Sequence, residues 1–353
     1  MQRRKAEVCI FIILLLHPKT VITIFAQHPR ALTLLISLQM EKLPQGLWPV
    51  MLTPFKENNE LDLSGLVELT EFYLAAGADG LFANCLSSEM FQLTTEERYL
   101  VTKTVIDTVG GRVPVVATGS FGSDVATNAG FIERLHGAGA AAVVISTNQV
   151  VGQRESEEEF KSKIEELLGR TGSIPLGLYE CPVPYKRLLS VDLVQWLAHS
   201  GRFYYHKDTS CDLEPIQKKI EAMRGTNLGL YNANTPTGLS SLRAGARGMS
   251  PIGANFYPEL FAYLVHRGRS APKDEKLIKL DALLSIFDAV IHRSYPFSAK
   301  LFLQKRGLRI TLNSRIPVPP LAYEDQLKLD AIWHALNELA GELGINVLQV
   351  ESL

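Results

Sequence analysis

The chain has 353 residues, 46% hydrophobic and 21% charged, with a formal net charge of −1. That is ordinary globular composition with length for a large core, and so even a charge balance gives no electrostatic basis for binding nucleic acid or an acidic membrane. No zinc-type Cys/His spacing, P-loop or G-x-G-x-x-G segment occurs, and Cys9, Cys85, Cys181 and Cys211 stand singly, as reduced thiols of a cytosolic protein do.

Residues 1–39 differ from the rest. A basic start and the apolar run Val8–Leu16 have the outline of a signal peptide. The run is too short to span a bilayer, and His17, Pro18 and Lys19 interrupt it. Met40 opens "MEKLPQGLWPVMLTPF", which reads as the start of a cytosolic enzyme. The expectation for 1–39 is therefore an upstream extension, either a dispensable leader or a mis-assigned start; an export signal is the alternative.

From residue 46 short apolar runs alternate with longer amphipathic ones. "GLWPVMLTPF" (46–55) predicts a strand, and "LDLSGLVELTEFYLAAG" (61–77) a helix ended by Gly77. Strand 80–86 precedes helix 94–109, which has Thr94 as its cap and acidic residues in its first turn. Strand 113–119 leads to a capped helix over 123–139, and strand 141–147 to helix 156–170. Strand 174–180 is followed by helix 188–201, strand 203–209 by helix 212–225, strand 227–233 by helix 235–246, and strand 248–254 by helix 257–268. Runs rich in Val, Ile and Leu are what strands covered by helices require. Eight strand–helix units in succession predict a (β/α)₈ TIM barrel over 40–270, with an open doubly wound sheet as the alternative. Residues 271–353 show helical periodicity in "EKLIKLDALLSIFDAVI", "YPFSAKLFLQKRG" and "YEDQLKLDAIWHALNELAGEL", and predict a C-terminal helical subdomain packed on the barrel.

Chemistry in such a barrel gathers at the C-terminal ends of the strands. Thr53, Ser87, Ser88, Glu89, Thr118, Asn148, Tyr179, Lys207, Asn232, Asn234 and Ser250 stand there. Lys207 ends strand six after the apolar "FYYH", and Tyr179 ends the neighbouring strand five, so amine and phenol are expected to share one cavity. Apolar walls lower a lysine's pKa and make it a nucleophile, and a tyrosine beside it shuttles the protons of imine formation. Ser87 and Ser88 in "LSSE", with backbone N–H groups opening a helix, suit a carboxylate. The combination fits a 2-keto acid held by its carboxylate with its carbonyl on Lys207. Each residue also has an ordinary reading: Lys207 paired with Asp208, Tyr179 as core, the serines as a helix cap. His206 is expected to point away from Lys207 by strand alternation.

At these residues the sequence resembles the dihydrodipicolinate synthase / N-acetylneuraminate lyase family of class I, Schiff-base aldolases, over about residues 43–343. "GLWPVMLTPF" is similar to the family's opening strand, and "ANCLSSEMFQLTTEER" to its Gly-Thr-Thr-Gly-Glu loop. "LYECPVP" is similar to its Tyr-Asn-x-Pro segment, "YYHKDTS" to its lysine-bearing strand, and "GARGMSPIGANFYPEL" to its strand-eight segment. The resemblance implies Tyr179 as the catalytic tyrosine, Lys207 as the imine lysine and Ser250 near the imine through its backbone carbonyl. It also implies a homo-oligomer, commonly a tetramer.

This sequence departs from the family pattern in three places. Leu86-Ser87 replaces the double threonine whose first hydroxyl relays protons. Thr147 and Asn148 stand after strand four, where the family often lends a tyrosine to a neighbouring subunit. Pro184 aligns with the synthase's substrate-gripping arginine, although Lys186 or Arg187 offers a substitute cation. Asn232, Asn234 and Thr235 suit the hydroxyls of a sugar-derived acid.

The expected function is a cytoplasmic Schiff-base lyase, aldolase or dehydratase acting on a pyruvate-type or sugar-derived 2-keto acid. Its catalytic residues are Lys207 and Tyr179, and its substrate-binding residues are Thr53, Ser87, Ser88, Asn232, Asn234 and Ser250. It needs no metal or organic cofactor, and neither a nucleic acid nor a membrane is expected as partner. The alternatives are a 4-hydroxy-tetrahydrodipicolinate synthase-type condensation of pyruvate with an aldehyde, and a catalytically weakened barrel that only binds a keto acid.

Overall fold

The computed structural model describes residues 12–15, 21–24, 42–271, 273–319 and 321–349. The chain divides into two compact units, Met1–Glu41 and Lys42–Leu353. In the first, Ile12–Leu15 and Val21–Ile24 pair as antiparallel strands; the rest of the predicted extension, Cys9 included, lies outside the described residues.

The second unit is built on eight parallel strands: β1 (Gly46–Leu47), β2 (Leu81–Asn84), β3 (Val115–Thr118), β4 (Ala142–Ser146), β5 (Leu176–Tyr179), β6 (Phe203–Asp208), β7 (Gly229–Asn232) and β8 (Gly248–Met249). From β2 to β8 each strand pairs with the next in chain order, and β8 pairs with β1. Beyond β1 the backbone reaches β2, where Phe82 N donates to the Pro49 carbonyl at 3.0 Å and Met51 N to the Phe82 carbonyl at 3.0 Å, so the sheet closes on itself. This is the predicted (β/α)₈ barrel.

The helices between strands are α1 (Leu63–Ala75), α2 (Thr95–Val109), α3 (Val125–Gly137), α4 (Glu157–Arg170), α5 (Val191–His199), α6 (Leu213–Ala222), α7 (Gly238–Ala244) and α8 (Pro258–Arg267). Their starts follow local chemistry. Asp62, Asp124, Ser156 and Ser190 accept from backbone N–H groups of the first turn, and Thr94 with Glu97 forms a reciprocal capping box on α2. Three further helices, α9 (Glu275–Ile291), α10 (Phe297–Lys305) and α11 (Tyr323–Leu343), form the C-terminal helical region. Their apolar faces continue the barrel's own core: Phe302 stands 5.4 Å from Phe256 and 5.4 Å from Trp333, ring centre to ring centre.

Strand alternation sorts β6 into two faces. Tyr205 and Lys207 face the barrel axis, and His206 and Asp208 face the surrounding helices, as expected for His206. Below Lys207 the interior is aromatic. Tyr205 lies 5.7 Å from Phe82, 5.3 Å from Trp48 and 4.4 Å from Tyr231, and Gly80 leaves room for the Trp48 indole, which a Cβ there would meet at 2.5 Å. The Tyr205 hydroxyl donates to Ser250 Oγ (2.8 Å), which donates to the Trp48 carbonyl (2.7 Å). Side chains thus fill the barrel up to the level of the lysine.

Candidate active site

β5 and β6 pair with Tyr179 opposite Lys207, which brings both side chains to one end of the barrel. They open into a cavity of about 520 Å³, walled also by Leu86, Ser87, Phe91, Pro182, Val183, Lys186, Asn234, Ile252, Asp288, His292 and Tyr295 among others. Lys207 is only 3% exposed. Its Nζ lies 4.6 Å from the centre of the Tyr179 ring and 5.8 Å from that of Phe82. Among the described residues it has no hydrogen-bond or ion-pair partner. Burial without a counter-charge favours the neutral amine, so its pKa is lowered, against weaker opposition from the thiols of Cys85 and Cys181. Burial pushes the Tyr179 phenol well above its ordinary value, and the Cys181 thiol beside it adds to that. Tyr179 is therefore a neutral proton donor next to an amine that is readily uncharged.

Asp208 is not the lysine's partner. It faces the other way and accepts from Ser210 N (2.9 Å), Ser210 Oγ (2.6 Å) and Lys219 Nζ (2.7 Å). Lys219, on α6, also donates to Glu180 Oε1 at 2.6 Å. Glu180 further accepts from Leu189 N (2.9 Å) and Thr209 N (3.1 Å), and His206 Nε2 stands 3.5 Å from it. Burial alone would raise Glu180, but His206 and Lys219 outweigh it and hold the carboxyl at about 2. Glu180, His206 and Asp208 bring three ligand-type atoms within 4.8 Å of one another. The Lys219 ammonium already bridges both carboxylates, so the cluster is a buried ion-pair knot rather than a metal centre. It sits directly behind Tyr179 and Lys207 and fixes the strand ends that carry them.

The remaining predicted site residues divide by placement. Ser87 and Asn234 line the cavity. Asn234 Oδ1 accepts from Thr237 N (3.1 Å) and Thr237 Oγ1 (2.9 Å), which leaves its amide nitrogen for a ligand. Ser88, Thr53, Asn232 and Ser250 are buried behind the wall. Ser88 Oγ donates within hydrogen-bond distance of the Met51 (2.7 Å) and Ala83 (3.0 Å) carbonyls, Thr53 Oγ1 donates to the Ser88 carbonyl (2.8 Å), and Asn232 Nδ2 is held by Thr237 (2.9 Å) and Ser241 (3.0 Å). Asn148 Nδ2 approaches the Cys181, Val183 and Tyr185 carbonyls at 2.8, 2.8 and 2.7 Å and shapes the loop after β5. Arg187 is spent on the carbonyls of Gly152, Glu155 and Ser156, while Lys186 stays at the cavity mouth, 3.9 Å from Cys211 Sγ.

Two contributions from the helical region were not legible in the sequence. Glu89 closes the Leu86–Ser88 turn in a left-handed conformation (φ 59°), and its buried carboxylate accepts from Lys300 Nζ (3.1 Å), Ser314 Oγ (2.9 Å), Arg315 N (2.6 Å) and Ile316 N (3.1 Å). Tyr295, between α9 and α10, enters the cavity wall itself. Glu89 is marked by its strand end, but no spacing rule announces its partners in 300–316 or the entry of Tyr295, a lone tyrosine before a proline in a helical segment.

The family model of the dihydrodipicolinate synthetase family matches residues 43–336. The chain belongs to that family. Its members include curated relatives with different reactions. The chain is 25% identical over 300 residues to an L-2-keto-3-deoxyarabonate dehydratase of Azospirillum brasilense, covering 84% of this chain and 95% of that one. It is equally 25% identical over 280 residues to a 4-hydroxy-tetrahydrodipicolinate synthase of Coxiella burnetii, covering 78% and 93%. Among solved structures, a prophage protein of the dihydrodipicolinic acid synthase family from E. coli, in complex with pyruvate, superposes with a TM-score of 0.75 at 23% identity, over 83% of this chain and 98% of that one. Among the described residues, no helix is long and apolar enough to cross a membrane.

Proposed function

We propose that this family member is a Schiff-base lyase or dehydratase acting on a 2-keto acid through Lys207. The observation that carries the reading is the buried, unpaired amine of Lys207 in the cavity, next to the Tyr179 phenol. The neutral amine adds to the keto carbon. Tyr179 protonates the hydroxyl so formed, which leaves as water, and the carbon–nitrogen bond becomes an iminium. The iminium draws electron density from the adjacent carbon, which eases loss of a proton there, then expulsion of a β-hydroxyl or cleavage of a carbon–carbon bond. Ser87 and the turn around it receive the carboxylate. Pro184, where a synthase's second-substrate arginine aligns, supports lyase or dehydratase chemistry over condensation with an aldehyde. A dehydratase and a synthase stand among the relatives, and an imine of this kind is chemically suited to either reaction.

Pyruvate followed by borohydride is the direct test. A reduced adduct localised to Lys207 by mass spectrometry, absent in Lys207→Ala with the fold intact, is the expected result. An adduct that persists in Lys207→Ala refutes the assignment. Turnover of a panel of 2-keto-3-deoxy sugar acids then separates an enzyme from a barrel that merely holds its ligand.

A further inference from the structure

We propose that Tyr295 is a second proton-carrying catalytic residue of this site, supplied to the barrel's cavity by the helical region of the same chain. The inference rests on the Schiff-base reading above and names how its protons move.

The positions that carry protons in similar sequences are altered here: Leu86 has no hydroxyl, and Asn148, after β4, is consumed by three backbone carbonyls. A different row of groups fills the need. The Tyr73 hydroxyl donates to Asn255 Oδ1. This fixes the Asn255 amide. Its two N–H bonds go to the Val50 carbonyl (2.9 Å) and the Tyr295 oxygen (2.7 Å). With an amide donor behind its oxygen, Tyr295 is left to turn its own hydrogen away from Asn255, toward the cavity that Ser87 also lines. Tyr295, Ser87, Tyr179 and Lys207 all line the one cavity. Burial raises the Tyr295 phenol, while Ser87 and Asn255 act in the opposite sense, as donors that stabilise a transient phenolate do.

The row gives a balanced cycle. When Tyr179 gives its proton to the departing hydroxide, Tyr295 returns one to Tyr179 and is left as a phenolate held by the Asn255 N–H. A proton arriving through Ser87 from the cavity restores it. When the carbon next to the iminium loses a proton, the same groups carry it the other way, to solvent, and the carbon keeps the electron pair as an enamine.

Pyruvate in D₂O separates this role from the lysine's. The wild-type protein is expected to exchange the methyl protons of pyruvate, followed by NMR, and to yield the borohydride adduct. Tyr295→Phe removes one oxygen and keeps the ring. It should reach the same extent of adduct while methyl exchange slows by about a hundredfold or more, with the fold retained. Ser87→Ala should slow exchange in the same direction by less. Exchange in Tyr295→Phe within about threefold of wild type, with the adduct intact, overturns this inference and leaves the lysine reading standing. Loss of the adduct in a folded Tyr295→Phe shows a residue that only shapes the cavity, and also overturns it. No adduct in the wild type refutes the lysine reading, and this inference with it.

Discussion

Replacing Lys219 by methionine tests the idea that the knot behind the site is what holds the site's strands. The ammonium is 2% exposed, and its partners, Glu180 at 2.6 Å and Asp208 at 2.7 Å, are fully buried. Methionine fills nearly the same volume but leaves two carboxylates without their cation. Removing one partner of a buried ion pair costs about 3–5 kcal/mol. The expected loss is therefore on the order of 3 kcal/mol, read from urea unfolding at pH 7, with a fall in melting temperature of about 2–4 °C per kcal/mol. The sign with pH is fixed. Glu180's folded pKa is depressed, so its contribution is fully present above 4.5 and is lost as pH falls toward 2. In Lys219→Met that contribution is already weakened, so the gap between variant and wild type should narrow as pH falls through that range. A loss below about 1 kcal/mol at pH 7, or a gap that widens in acid, refutes the reasoning.

Lys207→Met should keep or raise the melting temperature at pH 7, by about 1–3 kcal/mol of stability, because it removes a buried unpaired amine. Lys207's folded pKa lies below 10.5, so wild-type stability should climb as pH rises from that depressed value toward 10.5. The variant, followed by calorimetry, should lack that climb. Glu89→Gln keeps the shape but weakens four bonds to the 300–316 segment, and should cost about 1–3 kcal/mol in urea unfolding. It should also speed amide hydrogen exchange around Leu86–Ser88 more than elsewhere; uniform exchange would show that the tie does not order the turn.

The barrel was legible because its signals are local. Caps such as Thr94 and Ser156 sit one turn from the N–H groups they bind, and apolar runs mark each strand. The pairing of Tyr179 with Lys207 followed from neighbouring strand ends alone. The hydroxyls were harder to assign. Thr53 and Ser88 stand at the right level of the barrel, but short polar side chains at strand ends readily turn onto nearby carbonyls, and both do. The knot and the Tyr295 wall were illegible for another reason. Glu180 and Lys219 are 39 residues apart, and Glu89 and Lys300 are 211 apart. Such partners meet only once the chain has folded, and no spacing rule reaches that far.

Glu89's grip on residues 300–316 gives the last helices a role beyond covering apolar surface. The eight strands form a bowl, and the segment after them supplies part of its rim and side. A chain ending at 270 would retain every strand and Lys207, but would lose Asp288, His292, Tyr295 and Ile316 from the cavity wall. If Lys207 acts as proposed above, differences in what the cavity accepts are to be sought in the closing helices as much as in the barrel, because they line it without carrying the lysine.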